Sequence, residues 1–130
     1  MASFVYSPGY ECDIGDHVFR TDKYRLLHRK MVQTGLVGPE EFISPEPATR
    51  EELELVHTPR YLDELLSGRR TMRTMHSEMP ISKDIVRAFV LGAGGTILAC
   101  RLAVTDHTLT MNLSLIHISE PTRPLYNSYA

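Results

Sequence analysis

The order of local signals along the chain predicts an α/β protein built on a parallel sheet. Short β-prone runs alternate with capped amphipathic stretches, in the order strand, loop, helix, strand, three helices, strand. The longest helical stretch also carries Gly92, Gly94 and Gly95, which weaken a helix interior by up to ~1 kcal/mol each and so require another element close against them.

Each element has its own signal. Phe4-Val5-Tyr6 is β-prone and is stopped by Ser7-Pro8-Gly9, which reads as a first strand entering a loop that runs through His17. From Asp22 the apolar residues Tyr24, Leu27 and Met31 recur at helical spacing, with Lys23, Arg25, Arg29 and Lys30 on the other faces and Gly35 as the stop. Phe42-Ile43 is the second strand, closed by Pro45 and Pro47. Thr49-Arg50-Glu51-Glu52 is a capping box, in which each end residue's side chain can bond the other's amide. Thr58-Pro59 opens the next helix, a cap residue followed by proline at the first helical position, and the pattern runs through Tyr61, Leu62, Leu65 and Leu66 to Gly68. Residues 69–80 have no clear period and read as a surface loop. Ser82 caps the long helix that includes Ile85, Phe89, Ile97, Leu98 and Leu102, and Thr108 to Leu113 form a last strand.

At 130 residues and 42% hydrophobic, the chain holds one small domain with a core. Its net charge of −2 excludes a disordered acidic chain and disfavours a nucleic-acid binder that works by overall positive charge. The longest uncharged run, Ala88 to Cys100, is 13 residues, against the roughly 20 that a bilayer span needs. The N-terminus lacks the basic and apolar regions of a secretory signal, so the expectation is a cytoplasmic protein, or a nuclear one in a eukaryote, without a membrane partner. Cys12 and Cys100 lie outside any CxxC pattern and read as reduced thiols.

Several motifs invite a chemical reading. Gly92-Ala93-Gly94-Gly95 suggests a dinucleotide loop, but GxGxxG would need glycine where Ile97 stands and a strand where Ser82 to Leu91 reads as helix, so helix packing is the better account. His17, His28, His57, His76, His107 and His117 show no HxH or HxxxH spacing, and His57 fits a helix end better than a ligand. Arg69, Arg70 and Arg73 with Met72 and Met75 could meet an anionic or peptide partner, although charged loops are usually solvated. Asp13, Asp16 and Asp22 around His17 could form an acid/base group, but nothing in the spacing fixes their geometry.

From Leu113 to Arg123 the string LSLIHISEPTR resembles the translation of a sequencing adapter, and Ser128-Tyr129-Ala130 resumes it. Residues 113–130 are therefore expected to be an artefactual, disordered tail, and residues 1–112 the piece of a longer parent.

The blocks Gly15-Asp16-His17-Val18-Phe19 and Asp22-Lys23-Tyr24-Arg25-Leu26-Leu27, with Tyr6 before them, resemble the N-terminus of the histone deacetylase family, especially its bacterial and class IV-like members. Glu46 to Leu53, the His57-x-x-x-Tyr61 pair within Val56 to Leu62, and Gly94-Gly95-Thr96-Ile97-Leu98-Ala99 follow in the family's order, and Met111-Asn112-Leu113 resembles the strand leading to its glycines and paired histidines. The chain departs from the family at Arg20, where proline is usual.

The resemblance implies the N-terminal part of a parallel three-layer α/β/α deacetylase (arginase-like) fold, incomplete here. It implies a parent that hydrolyses acetyl-lysine or a similar acylated amine with zinc held by two aspartates and a histidine, a histidine pair moving protons and a tyrosine supporting the oxyanion. All of these are expected beyond Asn112, leaving no catalytic residue, no metal ligand and no cofactor in this chain, which should be inactive as it stands. One residue carries over: Arg25 matches an arginine that lines an internal product channel, where a guanidinium would attract a carboxylate. The rival from another class is a small noncatalytic α/β interaction module using the Arg/Met loop. Oligomeric state is left open by the sequence.

Overall fold

The computed structural model of the chain describes residues 2–16, 20–77 and 80–115. Its elements are β1 (Ala2–Val5), α1 (Asp22–Gln33), β2 (Phe42–Ile43), α2 (Arg50–Glu54), α3 (Pro59–Leu66), α4 (Lys83–Thr105) and β3 (Leu109–Asn112), with single 3-10 turns at Pro8–Tyr10, Pro39–Glu41, Thr74–Ser77 and Leu113–Leu115. The three strands are parallel in the order β2-β1-β3, so the chain has the mixed α/β architecture, with a small parallel sheet, that the sequence predicts.

Local chemistry sets the helix ends. Thr49 and Glu52 complete the capping box, the Glu52 amide donating to the Thr49 hydroxyl at 3.2 Å and the Thr49 amide to the Glu52 carboxylate at 2.9 Å. The Thr58 and Ser82 hydroxyls accept from the amides of Tyr61 and Ile85. Gly35 and Gly68 follow α1 and α3 with φ of +69° and +71°, the left-handed region that closes a helix and that a side chain disfavours.

β1 carries the register of the sheet. Phe4 lies opposite Phe42 and Met111, and Val5 opposite Ile43 and Asn112. Alternation puts Phe4 and Phe42 on one face, where Tyr6, Tyr10, Tyr24, Met31, Val37 and Leu113 form the buried cluster with Leu27 of α1. The opposite face meets α4: the Thr110 hydroxyl donates to the Ala99 carbonyl at 2.8 Å. Helices therefore cover both faces, as parallel sheets require.

The glycines of α4 have the packing reason that the sequence demanded, and the structure supplies the partners. A Cβ on Gly94 would lie 1.9 Å from the Glu46 carbonyl oxygen, because the loop between Pro45 and Ala48 runs directly over the helix, held by the Ala48 amide donating to Val90 O at 3.1 Å. A Cβ on Gly95 would meet the Tyr10 hydroxyl at 2.1 Å. α4 is long and apolar enough to cross a bilayer by length and composition. Of its most apolar stretch 22% is buried, and Ala88, Gly94, Gly95 and Ala99 lie on the packed side.

Three local differences from the sequence reading have physical causes. β1 ends at Val5 instead of Tyr6, although the Tyr6 amide still bonds Ile43 O at 3.1 Å and extends the pairing. The 69–80 loop holds a turn around Thr74, whose fully buried hydroxyl accepts from the Thr71 amide at 2.8 Å and donates to Arg69 O at 2.9 Å. Side-chain bonding shapes that turn without any hydrophobic period. At the end of β3, Leu113, the first residue of the expected tail, is 0% exposed within the aromatic cluster. Leu113–Leu115 form a 3-10 turn, with Ser114 bonded to Asn112, so the start of the expected disordered tail is ordered; residues 116–130 lie outside the described residues.

Candidate functional site

In open parallel sheets ligands bind beyond the carboxyl ends of the strands. Here that end is where Tyr6 and the Pro8–Tyr10 turn follow β1, and where Leu113–Leu115 follows β3. Ser7 makes the first turn, its hydroxyl accepting from the Gly9 amide at 3.1 Å. The turn aims Tyr10 inward, where its hydroxyl donates to Asn112 Oδ1 at 2.9 Å. Asn112 Nδ2 in turn donates to Gly92 O at 3.0 Å, Thr96 Oγ1 at 3.2 Å and Ser114 Oγ at 2.7 Å. Burial holds the Tyr10 phenol far above its ordinary pKa, so it stays a donor across the accessible pH range.

Beside this network opens a cleft of about 890 Å³, largely apolar, with Tyr10, Tyr24, Leu53, Phe89 and Ile97 among its walls. Arg101 of α4 reaches across to Glu52 of α2 at 2.7 Å on its border.

Arg25 projects from α1 toward the same end of the sheet and is paired with Glu11, Nε to Oε2 at 2.9 Å, the two side chains 41% and 36% exposed. Tyr6 lies within the field of this pair. Its phenol is raised by burial first and by Glu11 second, with Arg25 opposing. Its ring stacks on His28 at 4.2 Å between centroids, and Phe42 packs edge-on to the same imidazole at 4.4 Å.

The other candidates are dispersed. Asp13 accepts from the Gly15 amide at 2.9 Å in a local turn. Asp22 takes Arg20 Nε at 3.1 Å, so the arginine that replaces the usual proline is tied to the start of α1. His17 lies outside the described residues, as does the His117 of the tail. His57 sits against Tyr61 at 5.2 Å, next to the end of α2. Arg73 is bound to Glu64 at 2.8 Å, whose carboxyl is held below its usual range by the Thr71 hydroxyl first and by Arg73 second among the lowering contacts. Gly92 to Gly95 lie inside α4 and form no phosphate loop. Cys12 and Cys100 are free thiols. Among the described residues, no three His, Cys, Asp or Glu side chains converge. The described residues therefore do not by themselves make up a catalytic zinc site.

The Tyr10–Asn112 pair was not among the sequence candidates. Its partners are 102 residues apart, and the one trace of it in the sequence is the demand that Gly95 makes for a close neighbour.

The histone deacetylase domain family matches residues 17–122. The chain belongs to the histone deacetylase family. It is also 36% identical over 110 residues to an uncharacterized protein of Picosynechococcus sp. (strain ATCC 27264 / PCC 7002 / PR-6), a match covering 83% of this chain and 36% of that protein. The chain thus spans about a third of the length of the curated relative it matches. The deacetylase-family match begins at His17 and runs past Leu113, where the adapter-like string starts.

Proposed function

We propose that this chain is the N-terminal portion of a zinc-dependent deacetylase-like amidohydrolase acting on acetyl-lysine or a similar acylated amine. On this reading, residues 113–130 are adapter-derived and the chain alone is inactive. The observation that carries the reading is the family match over residues 17–122. The parallel sheet with both faces covered agrees with it, and so does Met111-Asn112-Leu113 lying at the strand's carboxyl end, where the family pattern leads to its glycines and paired histidines. Zinc is assigned to the longer parent alone.

The role of this portion is to build the base of the site. β1 and β3 bring Tyr6, Tyr10 and Asn112 to one end of the sheet, and α1 brings Arg25 there. Arg25 would draw a carboxylate product away from the site, with Glu11 holding the guanidinium in place and moderating its charge. The deciding experiment is to read the source gene again past Asn112. Two glycines and paired histidines soon after it support the enzyme, whereas a natural stop there supports the noncatalytic module. The longer product should then bind zinc and release acetate from acetyl-lysine peptides, and the 130-residue chain should do neither. One zinc per short chain with turnover would overturn the reading.

A further inference from the structure

Residues 69–75 follow α3 on the way to α4, and the function proposed above makes no use of them. They are built into a fixed turn. The buried Thr74 hydroxyl accepts from the Thr71 amide at 2.8 Å and donates to Arg69 O at 2.9 Å, and the Met75 amide donates to Thr71 O at 3.0 Å. Glu64 of α3 clamps the same turn, one carboxylate oxygen accepting from the Thr71 hydroxyl at 2.7 Å and the other from Arg73 at 2.8 Å. Groups held at this many points are presented in a set direction, and ordering them costs conformational entropy.

The turn displays apolar and cationic side chains that the rest of the fold leaves idle. Met72 and Met75 are 82% and 63% exposed, so neither contributes to the core. The arginines of α2, α3 and α4 are each paired with a carboxylate, as is Arg73. Among the described residues, by contrast, Arg69 and Arg70 are exposed and enter no ion pair. Lys83 stands beside them, since a Cβ on Gly68 would lie 2.8 Å from its Cγ, and it is likewise exposed and outside any ion pair among the described residues. Methionine and arginine are the residue types enriched where proteins meet partners. The thioether adapts to apolar groups of differing shape, and the guanidinium forks onto a carboxylate.

The position suits a ligand as well. α4 runs back along β3, with Ala99 O bonded to Thr110 and Gly92 O to Asn112. Lys83 lies roughly 14 Å further along the helix axis, past the carboxyl end of the sheet, which is the end at which α/β sheets bind ligands.

We propose that the 69–75 turn, with Lys83 beside it, is a docking surface for an acidic peptide whose carboxylates are interspersed with apolar side chains. The carboxylates meet Arg69, Arg70 and Lys83, and the apolar side chains lie on Met72 and Met75. Exposed methionines add nothing toward a phosphate backbone, and a net charge of −2 gives no long-range pull on nucleic acid, so a peptide fits better. Binding there needs neither zinc nor the rest of the parent.

The test is fluorescence polarisation with the full 130-residue chain and a labelled peptide of repeated Glu-Leu-Ser. Binding should weaken as salt is raised. It should fall roughly tenfold in Arg69→Gln/Arg70→Gln, an exchange of exposed side chains that leaves the fold intact. Met72→Ser/Met75→Ser should weaken it severalfold while keeping its salt dependence. The proposal is overturned if the labelled peptide does not bind, if its affinity is unchanged in either variant, or if peptides with Gln for Glu or Ser for Leu bind as well. Tighter binding to a single-stranded oligonucleotide or to phosphatidylserine vesicles than to the peptide would overturn it too, and would give the turn to nucleic acid or to a membrane instead.

Discussion

The two faces of the sheet are built on different principles. The α1 face is made of large side chains: Phe4, Tyr6 and Phe42 receive Leu27 and Met31, and Tyr10, Tyr24 and Leu113 complete the cluster. The α4 face buries Val5 of β1 and Ile85, Val86, Ala88 and Ala99 of α4, and it adds absent side chains, Gly94 and Gly95 letting the 45–48 loop and the Tyr10–Asn112 pair approach the helix backbone. The first face is held by apolar burial, which is tolerant in direction. The second adds to its apolar burial hydrogen bonds from Thr110 and Asn112 to the α4 carbonyls, which fix direction. The face that sets geometry is the one that meets the end of β3, where the proposed site begins.

The contrast is broken most strongly on the aromatic face. Met31 is 6% exposed, and Met31→Ala should cost about 2–5 kcal/mol, the range for a large apolar side chain cut back in a core. Leu36, 72% exposed just beyond the same helix, should change stability by no more than about 0.5 kcal/mol when replaced by alanine. Urea unfolding of both variants checks the difference, and equal effects would mean that α1 does not seat on the sheet in this register.

That face was legible because its signals are local. Tyr24, Leu27 and Met31 repeat at helical spacing, and the caps at Thr49, Thr58 and Ser82 each bond an amide three residues ahead. The α4 face was legible only as a demand. Glycines inside a helix announce a close neighbour without naming it, and the neighbours, Glu46 and Tyr10, are brought there by chain closure over tens of residues. The Arg25–Glu11 pair and the Thr74 turn were hidden for the same reason, since charge and hydroxyl partners leave no periodicity.

On the α4 face the glycines should separate. Gly94→Ala drives a methyl group into the Glu46 carbonyl, a backbone group that cannot rotate away, and should cost about 1–3 kcal/mol as overpacking. Gly92→Ala finds only the Ser114 side chain, at 3.4 Å, and should be neutral or stabilising by up to ~1 kcal/mol through helix propensity. Thermal unfolding of the pair decides it, and a damaging Gly92→Ala with a harmless Gly94→Ala would reverse the account of how α4 is seated. Outside both faces, Thr49→Ala removes one cap bond and should cost about 1 kcal/mol.

The smallest effect concerns the imidazole packed into the aromatic face. His28 lies between Tyr6 and Phe42, and burial lowers its pKa from the ordinary 6.5. Folding therefore favours the neutral ring. Above pH 6.5 both the folded and the unfolded chain hold it neutral, and stability is complete. As the pH falls below 6.5 the unfolded chain takes up a proton first, and stability declines until the folded ring also protonates. The carboxyls held low, Glu52 and Glu64, lose their contributions as the pH falls through their ordinary 4.5, so the histidine effect sets in first. His28→Phe keeps a ring in the stack but cannot bind the proton, and it should flatten the pH dependence of the urea midpoint between about pH 5 and 7. A midpoint that instead rose on acidification in the unsubstituted chain, and lost that rise in His28→Phe, would mean that the imidazolium is stabilised by the Tyr6 ring more than burial penalises it. The aromatic face would then be directional after all, which is the property assigned above to the α4 face alone.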